Sequence, residues 1–226
     1  MLKSFLYMIP IFVIGFVVKL AHDQILYTIL KDYSRIFVMI ALTQAGYIFL
    51  LYLMANRLRI KSALLCIKNM LPAAFVGFGA MSSAAAMPLT LVGAAKNATN
   101  SDIARSCIPA TVNIHLIGDC LAIPLFAFAI LKNFSLPMPD MGTYLVFTLY
   151  FVLAKFSVAA IPGGGIIVML PILEKHLGFS AEMLSLITAL YILFDPVITF
   201  TNVLGNGAFS LAIDKMYSAL ARRQIS

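Results

Sequence analysis

Long apolar runs separated by short polar stretches set the pattern of this chain. The runs are Phe5–Val18, Ile36–Ala55, Leu71–Ala95, Ile108–Leu131, Tyr144–Leu173 and Leu184–Ile213. A bilayer core needs about 20 consecutive apolar residues in a helix. Phe5–Val18 is short by that measure, and Ile36–Ala55 is a clear span. The other four are interrupted. Leu71–Ala95 is broken at Ser82-Ser83 and Pro88, and Tyr144–Leu173 at Pro162-Gly163-Gly164-Gly165. Ile108–Leu131 contains Asn113, His115 and Asp119. Leu184–Ile213 contains Asp195-Pro196 and then Asn202 to Gly207. Backbone that leaves a helix at membrane depth must be buried in protein or line a watery cavity. Interrupted segments in corresponding halves of a chain point to a transport site.

Charge then tests which segments cross. Residues 56–68 carry Arg57, Arg59, Lys61 and Lys68 with no acid. Lys96 and Arg105 stand against Asp102, and Lys215, Arg222 and Arg223 against Asp214. Excess Lys and Arg marks the cytoplasmic side. Loops 132–142 and 174–182 are neutral or acidic and read as external. The polar connection 19–35, of mixed sign, is the one loop that fits less well. Both flanks of Leu71–Ala95 are basic, so that segment should enter and return as a hairpin. Ile108–Leu131 then crosses outward, Tyr144–Leu173 returns to the outside, and the last segment crosses inward. The expected fold is an all-α membrane protein with two re-entrant helical hairpins and broken transmembrane helices in an inverted repeat. Such repeats hold the solute near the midplane, where hairpin tips meet unwound helix.

Composition agrees. The chain has 226 residues, 62% of them hydrophobic and 11% charged, with a mean hydropathy of +0.99. Soluble domains carry about 25% charged residues. The net charge of +7 is spread as membrane topology requires, so no nucleic-acid partner is expected. Cys66, Cys107 and Cys120 lack metal-ligand spacing and read as packing residues. Met1-Leu2-Lys3 resembles the charged end of a signal peptide, but without a convincing cleavage site a membrane segment is expected. No Ser–His–Asp set, metal cluster or phosphate loop occurs at credible spacing, so the chain is not expected to be an enzyme.

Several motifs resemble the dicarboxylate/amino acid:cation symporter family, the glutamate transporters. Ser82-Ser83-Ala84-Ala85-Ala86-Met87-Pro88-Leu89-Thr90 is similar to the first hairpin tip with its Leu-Pro-x-Thr. Asn113-Ile114-His115-Leu116-Ile117 stands where that family has Asn-Met-Asp-Gly-Thr, and Pro162-Gly163-Gly164-Gly165 where it has Pro-Gly-Ala-Gly. Asp195 to Asn206 resembles Asp-x-x-Arg-Thr-x-x-Asn-Val-x-Gly-Asp, and Met8-Ile9-Pro10-Ile11 resembles the preceding helix. The resemblance covers the carboxyl-terminal half of a member. It implies a scaffold remnant over 1–65 and a glutamate-transporter-like transport domain over 66–226. Within the latter it implies hairpin 66–95, helix 104–131, hairpin 143–176 and broken helix 181–215. It further implies a separate amino-terminal half or a homotrimer as partners, besides membrane lipid, and a multi-pass place in the cell membrane, the inner membrane of a bacterium.

The resemblance also assigns roles. Asp195, an intramembrane acid, would hold the solute's amino group. Ser82, Ser83, Gly163 and Gly164 would hold its carboxylate, with Thr199 and Asn202 beside it. Asn113 and Asn202 belong to a sodium site whose last ligand is a carboxylate in the family and Asn206 here. His115 replaces an aspartate of a second sodium site. It is either a proton site, since histidine titrates near neutral pH, or a hydrogen-bond partner of Asp119 four residues on. Ile198 replaces the arginine that grips a distal carboxylate, which favours a neutral solute. No cofactor is expected beyond Na+ or H+ as coupling ion. The expected function is symport of a small amino acid or dicarboxylate-like solute by a partial or split transporter. A degenerate non-transporting membrane protein or interaction partner, and a channel-like homo-oligomer, remain as alternatives.

Overall fold

The computed structural model describes residues 25–225 and, before them, Ile11, Ile14, Gly15, Val18, Lys19, Ala21 and His22. Most of the Phe5–Val18 run and of the Met8–Ile11 motif thus lies outside the described residues. Residues 25–225 form α1 (Ile25–Ala55), α2 (Ile60–Ala80), α3 (Ser83–Asn97), α4 (Ser101–Thr111), α5 (Ile117–Asn133), α6 (Met141–Lys155), α7 (Gly164–Ile167), α8 (Leu170–Leu177) and α9 (Ala181–Ile225). No strand occurs among the described residues. Lys31–Ala55, Ile60–Ala80 and Ala181–Ala221 are long and apolar enough to cross a membrane. Large apolar side chains such as Leu42, Phe75 and Phe156 are exposed, as side chains facing hydrocarbon are.

The chain divides into two compact units. Unit one comprises Met1–Leu42 and Asp119–Asp195, and unit two comprises Thr43–Gly118 and Pro196–Ser226. Each holds one helical hairpin. In unit two, α2 and α3 are joined by a tight turn. Met81 takes a left-handed backbone (φ 46°), and Ser82 caps α3 by accepting the Ala85 N–H. The arms are tied at their open end: Asn69 Nδ2 donates to Asn97 Oδ1 at 2.8 Å, and Asn97 Nδ2 donates to the Cys66 carbonyl at 2.9 Å. The basic flanks of this hairpin therefore lie at its same end. Its core joins Met70, Ala73, Ala74 and Ala86 to Tyr52, Ile108, Val203 and Leu211. The fully buried Asp214 accepts the N–H groups of Thr99 and Asn100 at 2.8 and 2.9 Å, which ties the α3–α4 link to α9.

In unit one, α6 and α8 form the arms of the second hairpin, with Tyr150 and His176 stacked 4.4 Å apart. Asp140 caps α6, and the Thr143 N–H it accepts at 2.7 Å holds its carboxyl below the usual range. A depressed carboxylate supports folding above its unfolded pKa, and that support is lost as pH falls through the folded value. Phe37 and Phe194 stack at 5.1 Å, with Phe126 edge-on to both. Helices α1 and α5 end in the same bonding pattern, a six-residue back-bond around a left-handed residue, Arg57 and Ser135, and α8 ends at the left-handed Gly178.

Four sequence expectations change. Pro88 lies inside α3 and does not break it; the break is confined to Met81–Ser82. The expected broken helix over 181–215 is continuous: α9 is helical through Asp195-Pro196 and through Asn202–Gly207. The first hairpin begins at Ile60, before the expected 66. Glycine and proline act here by closeness, since proline at membrane depth is tolerated where neighbours satisfy the freed carbonyl. A Cβ on Gly205 would meet Ile117, and one on Gly207 would meet Met70 and the Tyr52 hydroxyl. The helix expected over 104–131 is instead interrupted between α4 and α5, at residues 112–116.

Glycine's role differs by position. A Cβ on Gly118 would run into the Ile198 backbone carbonyl, whereas one on Gly46 meets nothing. Gly118→Ala is expected to lower stability by about 1–3 kcal/mol through overpacking. Gly46→Ala is expected to raise it by up to about 1 kcal/mol through lost chain entropy. Thermal unfolding of the two variants in detergent, side by side, reads the difference.

Candidate functional site

In unit two the polar chemistry gathers around the unwound residues 112–116. Gly118, at the start of α5, has both of its backbone groups met by side chains. Its N–H donates to Asn202 Oδ1 at 2.7 Å, and its carbonyl accepts from Gln44 Nε2 at 2.9 Å. The other end of the Gln44 amide accepts from the Thr201 hydroxyl at 2.9 Å, which also donates to the Val197 carbonyl. Asn202 thus serves α5 as a cap supplied from another helix, taking one of the N–H groups that a helix start leaves unpaired. Ser82 and Ser83 are buried at the hairpin turn, and Thr199 is buried where a Cβ on Gly77 would touch it. Ile198 is fully buried.

Asn113 is exposed on the break, while Asn202 and Asn206 are buried on α9. His115 stacks against Phe209 with ring centres 4.7 Å apart. Three buried polar atoms lack a hydrogen bond of good geometry among the described residues, His115 Nδ1, Asn206 Oδ1 and Ser210 Oγ, although His115 faces Asn206 and Ser210 faces Cys107. Buried polar atoms are ordinarily paired, and each exception calls for a ligand, water or chemical role. A co-transported sodium ion would need several oxygens at once. Of the three asparagines, Asn206 offers an uncommitted oxygen, and Asn202 Oδ1 already accepts from Gly118. Among the described residues no group of three or more His, Cys, Asp or Glu is placed to hold a metal.

In unit one the second hairpin tip closes on two acids. Gly163, with φ 70°, donates its N–H to Asp195 Oδ2 at 2.9 Å. The left-handed backbone there favours glycine. A Cβ on Gly164 would strike the Ala159 carbonyl, and one on Gly165 would strike Asp119 and the Tyr191 hydroxyl. The tip is therefore folded more tightly than any other residue type allows. Beside it Lys155 Nζ, 4% exposed, lies 3.2 Å from Asp119 Oδ1 and donates to the Gly165 carbonyl at 3.2 Å. It also sits 5.2 Å from the centre of the Phe151 ring, within cation–π range. Tyr191 donates to the same Asp119 oxygen at 2.6 Å.

The ion pair of Lys155 and Asp119, with Tyr191, was not picked out from the sequence. A signal for it existed. Each charge is isolated in its own apolar run, and intramembrane charges usually pair with one another. Gln44 and Thr201 gave no comparable signal, since an amide in a long span has no sequence-level partner.

Apolar helices of spanning length, with charges paired in the interior and apolar side chains outward, define an all-helical membrane protein. The model of the sodium:dicarboxylate symporter family matches residues 1–216, and the chain belongs to that family. This is a family of transporters and not of enzymes, and its name implies sodium-coupled symport of dicarboxylates or amino acids in general. A comparison with curated proteins gave no match.

Removing one member of a buried pair strands the other charge, which costs about 3–5 kcal/mol. Lys155→Met alone should therefore lower the unfolding temperature sharply. Adding Asp119→Asn removes the stranded charge and leaves an acceptor for Tyr191. The double variant is expected to regain most of the loss. A double variant no more stable than Lys155→Met alone would show that the pair is not what holds the tip.

Proposed function

We propose that this chain is the transport part of a secondary transporter, partial or split, which moves a small neutral amino acid coupled to a cation across a bacterial inner membrane. One observation carries the reading: the buried Asp195 carboxylate grips the backbone N–H of Gly163 at the second hairpin tip. A solute ammonium is a stronger partner for that carboxylate than a neutral N–H, because charge-assisted hydrogen bonds are roughly twice as strong. A solute amine arriving at Asp195 competes with Gly163, so binding loosens the tip and release lets it close. The resemblance assigns the solute carboxylate to Ser82, Ser83 and the Gly163–Gly164 backbone. Helix amino ends favour such an anion.

Ile198 has no charge to offer a second carboxylate, which favours a neutral solute over a dicarboxylate. The matched helices belong to the transport domain, 66–226. The shared end of the first hairpin, with basic residues on both flanks, supports its re-entrance from the cytoplasmic side of a multi-pass chain. The family's ion is sodium, but two positions that carry acids in relatives by resemblance are His115 and Asn206 here. The two side chains face each other, which supports a site with an imidazole and an amide, and that suits a proton better than sodium.

Asp195→Asn keeps an acceptor for Gly163 and removes the charge. It should leave the fold intact and weaken binding of alanine or serine by about 1.5–3 kcal/mol, roughly 10- to 150-fold. Equilibrium binding to the purified chain, with and without the amino-terminal half, is the measurement. Unchanged affinity, or tighter binding of glutamate than of alanine by the unmodified chain, would refute the assignment.

Sodium should matter little. Affinity for the neutral amino acid, followed against sodium at fixed ionic strength, is expected to stay flat in the unmodified chain. It should become sodium-dependent when His115→Asp and Asn206→Asp are combined, because two carboxylates restore the compensating charge that a buried cation needs. A steep dependence in the unmodified chain would refute proton coupling.

A further inference from the structure

Unit two contains a basic cavity that the transport reading does not use. It has a volume of about 320 Å³ and is lined by Arg57, Arg59 and Lys215 and by the hydroxyl residues Ser62, Thr99 and Ser218. No acid lines it. Asp214, next to Lys215 in sequence, is fully buried and turned onto the Thr99 and Asn100 N–H groups. Topology alone asks only for basic residues somewhere in a cytoplasmic loop. It does not ask that two arginines and a lysine more than 150 positions later converge on one hollow.

The backbone supports the same point. Arg57 sits at the left-handed position that closes α1, with φ 53°, and Leu58 follows at φ 62°. The Leu58 N–H returns to the Leu53 carbonyl and the Arg57 N–H to the Met54 carbonyl. Glycine is the usual residue at that closing position, as at Gly178 after α8. An arginine there holds an unfavourable backbone. Such strain persists where the surroundings fix it and gathers at ligand clamps.

A second cavity of about 460 Å³ shares Ala55, Arg57 and Lys215 with the first. It is lined by Tyr47, Leu51, Met54, Phe209 and Met216 among others, with His115 at its wall, and is mostly apolar where the first is polar. A cationic, hydroxyl-rich hollow joined to an apolar groove fits a molecule with an anionic head and a hydrocarbon tail. We propose that Arg57, Arg59 and Lys215 bind the phosphate of an anionic phospholipid, with an acyl chain along the apolar groove. Arginine meets phosphate oxygens through its planar fork, and Lys215 adds a point charge.

The test uses the full chain in mixed micelles, with dioleoyl phosphatidylglycerol, dioleoyl phosphatidylcholine and inorganic phosphate as separate probes. Bound lipid is counted by native mass spectrometry. Phosphatidylglycerol should bind at least about tenfold more tightly than phosphatidylcholine. Arg59→Gln with Lys215→Gln should reduce that affinity by about 10- to 30-fold, given the attraction each basic residue adds near an anionic surface, and leave phosphatidylcholine unchanged. Both side chains are exposed, so the variant folds. The charge-keeping variant Arg59→Lys with Lys215→Arg should retain binding. Equal binding of the two lipids, or no effect of the double glutamine variant, overturns the proposal. Inorganic phosphate binding as tightly as phosphatidylglycerol overturns the role of the apolar groove and leaves a plain phosphate site.

Discussion

Backbone that leaves a helix inside apolar surroundings keeps its hydrogen-bonding groups, and no water is there to meet them. That constraint governs the interior of this protein. Where α4 gives way to α5, the exposed polar groups of Gly118 go to Asn202 and Gln44. Where the second hairpin turns, the Gly163 N–H goes to Asp195. Where the first hairpin turns, the Ser82 hydroxyl takes the Ala85 N–H. Each departure from helix is matched by a specific side chain, so the polar residues of the apolar segments are first of all partners for backbone. A transporter needs such departures, because only unwound backbone can present groups to a solute.

The same constraint explains the buried charges. Lys155 and Asp119 are each isolated in an apolar run, and each is tolerable only with the other. Asp214 is tolerable because two backbone N–H groups close on it. Asp195 accepts the Gly163 N–H of the hairpin tip. In unit one, a fixed ammonium lies beside the tip's own carbonyl at Gly165, so positive charge is built into the hairpin.

Glycine has three distinct uses here. At Gly163 it supplies a left-handed backbone. At Gly165 and Gly207 it makes room for Asp119, Tyr191, Tyr52 and Met70. At Gly118 it lets two backbones touch. Small residues at helix contacts are the general means of close approach in membranes, where no hydrophobic force draws helices together. A glycine in an apolar segment is therefore ambiguous until its neighbours are known.

Much of this was legible in the sequence. The apolar runs and the all-helical build follow from hydropathy, because lipid permits so few arrangements of backbone; the interruption of the helix expected over 104–131 does not. Family membership followed from the motifs around Ser82, Asn113, Pro162 and Asp195. The sequence could not say that α9 runs unbroken through Pro196, Gly205 and Gly207. Glycine and proline permit unwinding without requiring it, and packing against Ile117, Met70 and Tyr52 decided the matter. Nor could it show that Asn202 caps α5, that Gln44 bridges Gly118 and Thr201, or that Lys155 finds Asp119. Hydrogen bonds and ion pairs act over about 3 Å between residues up to 157 positions apart in the chain, and only the tertiary fold brings those atoms within reach.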